Sequence, residues 1–117
     1  MLFKNKTAIV TGAGQGIGFE ICRQLVTEGA NVILNDIDLE LAGKAADQLS
    51  NIGICMSVAG DSGTTECIQL MVDAAVTKFG ALDIVIANAG ITLFGDFFEY
   101  TPEAFYKVMQ VNLGGSF

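Results

Sequence analysis

The sequence contains no histidine, no tryptophan and a single proline, and its 6 lysines and arginines face 13 aspartates and glutamates. Without histidine, and with Cys22, Cys55 and Cys67 at no metal-ligand spacing, no metal site is expected. The cysteines are odd in number, far apart and set among apolar residues, which suits buried thiols of a reducing compartment better than a disulfide framework; all three are expected to lie in the core. The net charge of −7 comes with no run of Lys or Arg, so neither nucleic acid nor an anionic membrane surface is an expected partner. Charge does not exclude a bound nucleotide, because helix-end amides hold phosphate without any basic side chain. No apolar stretch approaches the ~18 residues that span a bilayer, and the opening MLFKNKTAIVTG has too short an apolar run for a signal peptide. A soluble, cytoplasmic protein is expected.

What is present is core-forming material: 51% of the residues are hydrophobic. There is no linker, low-complexity tract or repeat that would divide them. Short runs rich in Val and Ile at Thr7–Thr11, Asn31–Asn35, Ile54–Val58 and Asp83–Ala87 predict four strands. Between them, residues spaced at helical period predict three helices: Ile17, Ile21 and Leu25; Leu39, Ala42, Ala46 and Leu49; Ile68, Val72, Ala75 and Phe79. Strands apolar on both faces and joined by helices form a parallel sheet, and right-handed crossovers place helices on both sides of it. The expected fold is α/β, a doubly wound parallel sheet of the Rossmann type, forming one dinucleotide-binding domain over residues 1–117. Thr101, Pro102 and Glu103 predict the start of a fourth helix running towards Asn112. The domain is expected to be incomplete, stopping after the fourth strand and that helix.

Four glycines, Gly12, Gly14, Gly16 and Gly18, lie in the segment TGAGQGIG between the first strand and the first helix. A chain that must turn sharply there leaves N–H groups facing outward, and a Cβ would obstruct a diphosphate. The positive end of the helix would hold the phosphates. The alternative is that these glycines serve only a tight turn and close packing. The spacing is G-x-x-x-G-x-G rather than the G-x-G-x-x-G of the broader dinucleotide fingerprint. Asp36, 20 residues after Gly16, closes the second strand, where a carboxylate accepts hydrogen bonds from the hydroxyls of an adenosine ribose. A 2′-phosphate would meet that carboxylate at a cost of ~4 kcal/mol at an effective dielectric of ~20, and neutral Gln15 offers no compensating charge. NAD is therefore expected ahead of NADP. Asp36 and Asp38 are also competent helix caps, and the capping role is assigned to Asp38.

TGAGQGIG, the ANAG of Ala87 to Gly90 and the NLGGSF of Asn112 to Phe117 follow one another in an order that resembles the short-chain dehydrogenase/reductase family. The resemblance covers essentially the whole chain but only about the first half of a typical member. It implies a cofactor site made of Gly12, Gly14, Gln15, Gly16, Ile17, Gly18, Asp36, Asn88, Ala89 and Gly90. Asp61 stands where family members often contact the adenine ring, although it is equally placed to cap the third helix. Asn112 matches the family's catalytic asparagine. The usual N-N-A-G begins here with Ala87, a departure that removes one side-chain hydrogen bond.

In that family a tyrosine, a lysine four residues later and a serine carry the proton chemistry. Here Tyr100 and Tyr106 are followed four residues on by Ala104 and Gln110, so the chain has no Tyr-x-x-x-Lys and is expected to be inactive by itself. The function implied for the complete protein is NAD(H)-dependent hydride transfer on a small alcohol or ketone. The alternative is a dinucleotide-binding or interaction module without catalysis. Stopping at Phe117 would leave the fourth strand as an uncovered edge, so this chain is expected to self-associate as a homo-oligomer or to need a partner chain.

Overall fold

A computed structural model describes residues 1–89. The predicted alternation is present: β1 (Thr7–Val10), α1 (Gly16–Thr27), β2 (Asn31–Asp36), α2 (Leu39–Ser50), β3 (Cys55–Ala59), α3 (Thr65–Phe79) and β4 (Ile84–Ile86). The strand boundaries fall within one residue of those expected. The fourth helix lies outside the described residues.

The strands form one parallel sheet in the order β3-β2-β1-β4. Alternation along each strand divides the core in two, because successive side chains point to opposite faces. Ala8, Val10, Val32 and Leu34 meet Cys22, Leu25 and Val26 of α1 and Ala42, Ala45 and Leu49 of α2. Ile9 and Ile33 face the other way, onto Cys67, Met71 and Ala75 of α3. The fold is thus a doubly wound, Rossmann-type α/β sheet. Leu34 and Leu49 are among its largest fully buried side chains, and each contributes about 1.5–3 kcal/mol by leaving water.

The buried stripes of the helices differ from those expected. Ile17, Leu39 and Ile68 are all exposed, Ile17 by 77% and Leu39 by 72%. Each lies in the first turn of its helix, and in α3 the neighbouring Cys67 takes the buried position of that turn. α3 instead presents Cys67, Met71 and Ala75, four residues apart, to Ile9 and Ile33. Cys22 and Cys67 are buried as expected, whereas Cys55 is only half-buried and packs against the edge of the first cluster. Among the described residues no helix is long and apolar enough to cross a membrane.

The helix starts are not alike. Asp38 caps α2 by accepting from the Leu41 amide at 3.0 Å, and Thr64 caps α3 by accepting from the Cys67 amide at 3.2 Å. Each of those helices also has an acid in its first turn, Glu40 and Glu66. α1 has neither: Gln15 occupies the capping position in extended conformation, its side chain makes no capping bond and the first turn holds no acid.

Candidate functional site

Because all four strands run the same way, their C-terminal ends share one edge of the sheet. Four short segments gather there: Thr11–Gly18 after β1, Asn35 and Asp36 at the end of β2, Gly60–Gly63 after β3, and Asn88 and Ala89 after β4.

The glycine segment is held by the neighbouring strand ends. The amide of Thr11 donates to the Ile86 carbonyl at 3.1 Å, that of Ala13 to the Asn35 carbonyl at 2.7 Å, and that of Gly14 to Asp36 Oδ2 at 3.0 Å. Past Gly14 this pattern stops. Among the described residues, the amides of Gln15, Gly16, Ile17 and Gly18 donate to no other group, and the Phe19 amide only reaches the Gln15 carbonyl at 3.5 Å. These are the free N–H groups that every helix start presents, here without a cap or an acid to occupy them. They suit an anion such as a pyrophosphate.

The glycines owe their presence to two different causes. A Cβ on Gly12, whose φ is +62°, would lie 2.7 Å from the Ala89 Cα; one on Gly18 would lie 2.5 Å from Asn88 Nδ2; one on Gly14 would lie 2.8 Å from both Asp36 Oδ2 and the Leu41 side chain. Gly12 and Gly18 are thus hemmed in by backbone and Gly14 by side chains, so at these three positions the close packing weighed as the alternative accounts for the glycine. Only Gly16, with φ +66° and nothing within 4 Å of a built Cβ, opens outward. Ile17, beside it, leaves its side chain in solvent.

The β4 end is latched to the same segment. Thr11 Oγ1 accepts from the amides of Asn88 at 3.1 Å and Ala89 at 3.0 Å, while Asn88 Nδ2 donates to the carbonyls of Thr11 at 3.2 Å and Gly12 at 3.1 Å. Thr11 is 6% exposed, and its hydroxyl is the part of the arrangement that the sequence reading passed over. A hydroxyl residue closing an apolar strand immediately before the first glycine was the available signal.

Asp36 does not cap α2. Its Oδ2 takes the Gly14 amide and its Oδ1 takes the Asp38 amide at 3.1 Å, so the carboxylate is fixed beside the glycine segment. Each oxygen retains a second lone-pair direction. Asp61 Oδ1 accepts from the Gly63 amide at 2.8 Å, and the Asp61 carbonyl accepts from the amide and hydroxyl of Thr64. Capping of α3 therefore falls to Thr64, with Asp61 shaping the turn that leads to it. Lys44 of α2 borders, with Gly14 and Gln15, a groove of about 280 Å³. Asn35 was also missed: it is 1% exposed and its side-chain amide reaches across to the β3 exit. A polar side chain two residues beyond buried Ile33, hence on the same covered face, was its signal. Gly90 and Asn112 lie outside the described residues.

Comparison with known proteins matches residues 6–117 to the short chain dehydrogenase family. The chain is 42% identical over 114 residues to a versicolorin reductase of Emericella nidulans, with 96% of this chain and 43% of that protein covered. It is 34% identical over 120 residues to a 3alpha-hydroxysteroid dehydrogenase of Mediterraneibacter gnavus, spanning 48% of it. A solved short chain dehydrogenase from Mycobacterium smegmatis superposes with a TM-score of 0.90 at 32% identity, over 98% of this chain and 49% of that one. The chain thus spans about half the length of the relatives it matches, and over that span it belongs to the short-chain dehydrogenase family.

Proposed function

We propose that this chain forms the NAD(H)-binding domain, over residues 1–117, of an oxidoreductase acting on an alcohol or ketone. The observation that carries the proposal is the bare start of α1: amides from Gln15 to Gly18 that are unbonded among the described residues, around the outward-opening Gly16, with the Asp36 carboxylate fixed on the adjacent strand end. These residues fit a dinucleotide. The amides of Gln15, Gly16, Ile17 and Gly18 would bind the pyrophosphate, Asp36 would accept from the adenosine ribose, and the turn at Asp61 would lie on the base side. The shape of the bend that receives them is kept by Gly12 and Gly14, with Asn88 and Ala89 latched beneath; by resemblance to the family, Gly90 belongs to the cofactor site and Asn112 is the catalytic asparagine. Hydride transfer to or from a carbon bearing oxygen is the chemistry that NAD(H) supplies when bound.

The reductase and dehydrogenase named among the relatives support an oxidoreductase of hydroxyl or carbonyl carbons. A small-molecule substrate, cytoplasmic location and assembly as a homo-oligomer are proposed for the whole protein. Because the chain has no Tyr-x-x-x-Lys, it is expected to bind dinucleotide without turning it over. Turnover by the purified chain in a hydride-transfer assay would reject that expectation.

NADH fluorescence titration tests the central proposal: saturable binding is expected, and its absence with both NADH and NADPH overturns it. One observation favours NADP instead, namely Lys44 beside Gly14 and Gln15 as a source of positive charge. Asp36 is in direct contact with the Gly14 amide and repels a 2′-phosphate. NADH is therefore expected to bind more tightly, and equal or tighter binding of NADPH reverses the preference.

A further inference from the structure

At the end of β2, two consecutive residues hold both of the loops that flank the proposed nucleotide. On one side the Asn35 carbonyl accepts from the Ala13 amide, and Asp36 Oδ2 accepts from the Gly14 amide. On the other, Asn35 Nδ2 donates to the carbonyls of Val58 at 2.9 Å and Gly60 at 3.2 Å, and the Gly60 amide donates to the Asp36 carbonyl at 3.0 Å. The Cys67 sulfur, at 3.6 Å, closes the same pocket from α3. Both strong partners of Nδ2 are carbonyl oxygens, so this end of the side chain is the amide donor.

An amide in this place has a cost that a simple core residue would not incur. Asn35 is 1% exposed and shares its face with Ile33, Met71 and Ala75, where an apolar side chain of the same size would pack without needing any partner. What the amide supplies is a donor where the ladder runs out: β3 is the outer strand, its pairing with β2 ends at Asp36–Ala59, and the chain must then leave the sheet. Gly60, with φ +149° and a built Cβ only 2.9 Å from Cys67 Sγ, turns at this point against the base of α3. The direction of that exit decides how close the Asp61 turn comes to Asp36.

We infer that Asn35 is a positioning residue for the nucleotide's adenine end: by holding the Val58 and Gly60 carbonyls it sets the Gly60–Gly63 bend against Asp36, while the glycine segment is held independently of the Asn35 side chain, by the Asn35 carbonyl and the Asp36 carboxylate. The inference rests on the dinucleotide proposal above. It separates the two halves of the adenylate contact. Loss of the Asn35 amide moves the base side and leaves the pyrophosphate side in place, because the Asn35 carbonyl and the Asp36 carboxylate are untouched.

The test compares competition by ADP and by inorganic pyrophosphate against bound NADH in the full chain and in Asn35→Leu. The variant is expected to weaken ADP about tenfold, as the loss of one buried donor to two carbonyls implies, with pyrophosphate held within about twofold. Amide exchange at Gly60 is expected to quicken while exchange at Gly14 stays the same. A parallel loss of both competitors reduces Asn35 to general support of the fold and overturns the inference, as does no change in either. Failure of the parent chain to bind NADH, ADP and pyrophosphate is a different result, and it removes the dinucleotide proposal itself. Should Asn35→Leu not fold, Gly60→Ala displaces the same bend through the Cys67 contact without altering any residue of β2. It is expected to give the same selective loss of ADP, and equal losses overturn the inference.

Discussion

Two glycines with the same backbone sign serve opposite ends, and substitution separates them. Both Gly12 and Gly16 have positive φ, at +62° and +66°, so an alanine at either position is strained by about 1–2 kcal/mol. At Gly12 the new Cβ also meets the Ala89 backbone at 2.7 Å, which the Thr11 latch cannot release without losing its hydrogen bonds. Gly12→Ala is therefore expected to lower the unfolding free energy by clearly more than Gly16→Ala, as measured by urea denaturation. Gly16→Ala, whose Cβ projects into open space beside the free amides, is expected to fold and to lose NADH affinity instead. Asp36 carries a second pair of consequences. In Asp36→Ala the Gly14 amide loses its acceptor and the negative charge disappears, so NADH should bind more weakly while NADPH is relieved of repulsion. The ratio of the two affinities is expected to move towards NADPH by about tenfold or more, since removal of even ~1.4 kcal/mol of repulsion corresponds to that factor. An unchanged ratio in paired titrations would place the ribose elsewhere.

At the scale of the elements, the caps explain both what was legible and what was not. Asp38 was assignable because an Asp directly before an amphipathic segment has few competing uses, and it does accept the Leu41 amide. Thr64→Ala is expected to cost about 1 kcal/mol by removing the acceptor of the Cys67 amide, read as a shift in urea midpoint at constant slope. Strand positions were legible to within one residue because runs of β-branched residues between helical segments leave little freedom. The helix faces were less so. Ile17, Leu39 and Ile68 fit a 3.6-residue period as well as the residues that are buried, and which face of each helix meets the sheet is set by tertiary packing that the period does not carry. In the candidate site, the glycine segment and Asp36 were legible from spacing, whereas the Thr11 latch and the Asn35 bridge depend on which strands become neighbours. β1 pairs with both β2 and β4, so Thr11 reaches Asn88 across 77 residues of sequence, a proximity that no local pattern carries.

For the molecule as a whole, the thiols couple the packing of the sheet to alkaline pH. Burial pushes Cys22 up to about 12, with the nearby Cys55 adding to the effect, and burial likewise pushes Cys55 up to about 12, against an ordinary thiol value of 9.0. Cys22 is wholly covered, between α1 and the strands, so forming a thiolate there places a charge in an apolar layer with no partner. Below pH 9 both the folded and the unfolded chain keep these protons, and stability carries no dependence on them. Between about 9 and about 12 the unfolded chain releases the protons while the folded chain retains them. The folded state then binds more protons than the unfolded one, and the unfolding free energy must fall as pH rises, by up to about 1.4 kcal/mol per pH unit for each thiol. Above the folded value the dependence ends, with the stabilising contribution lost. Urea titrations from pH 7 to 11 are expected to show this decline in the parent chain and a shallower one in Cys22→Ala with Cys55→Ala. Identical slopes would mean that the two thiols lie in water-accessible surroundings, and that the α1 and α2 face of the sheet is packed more loosely than the geometry of Cys22 requires.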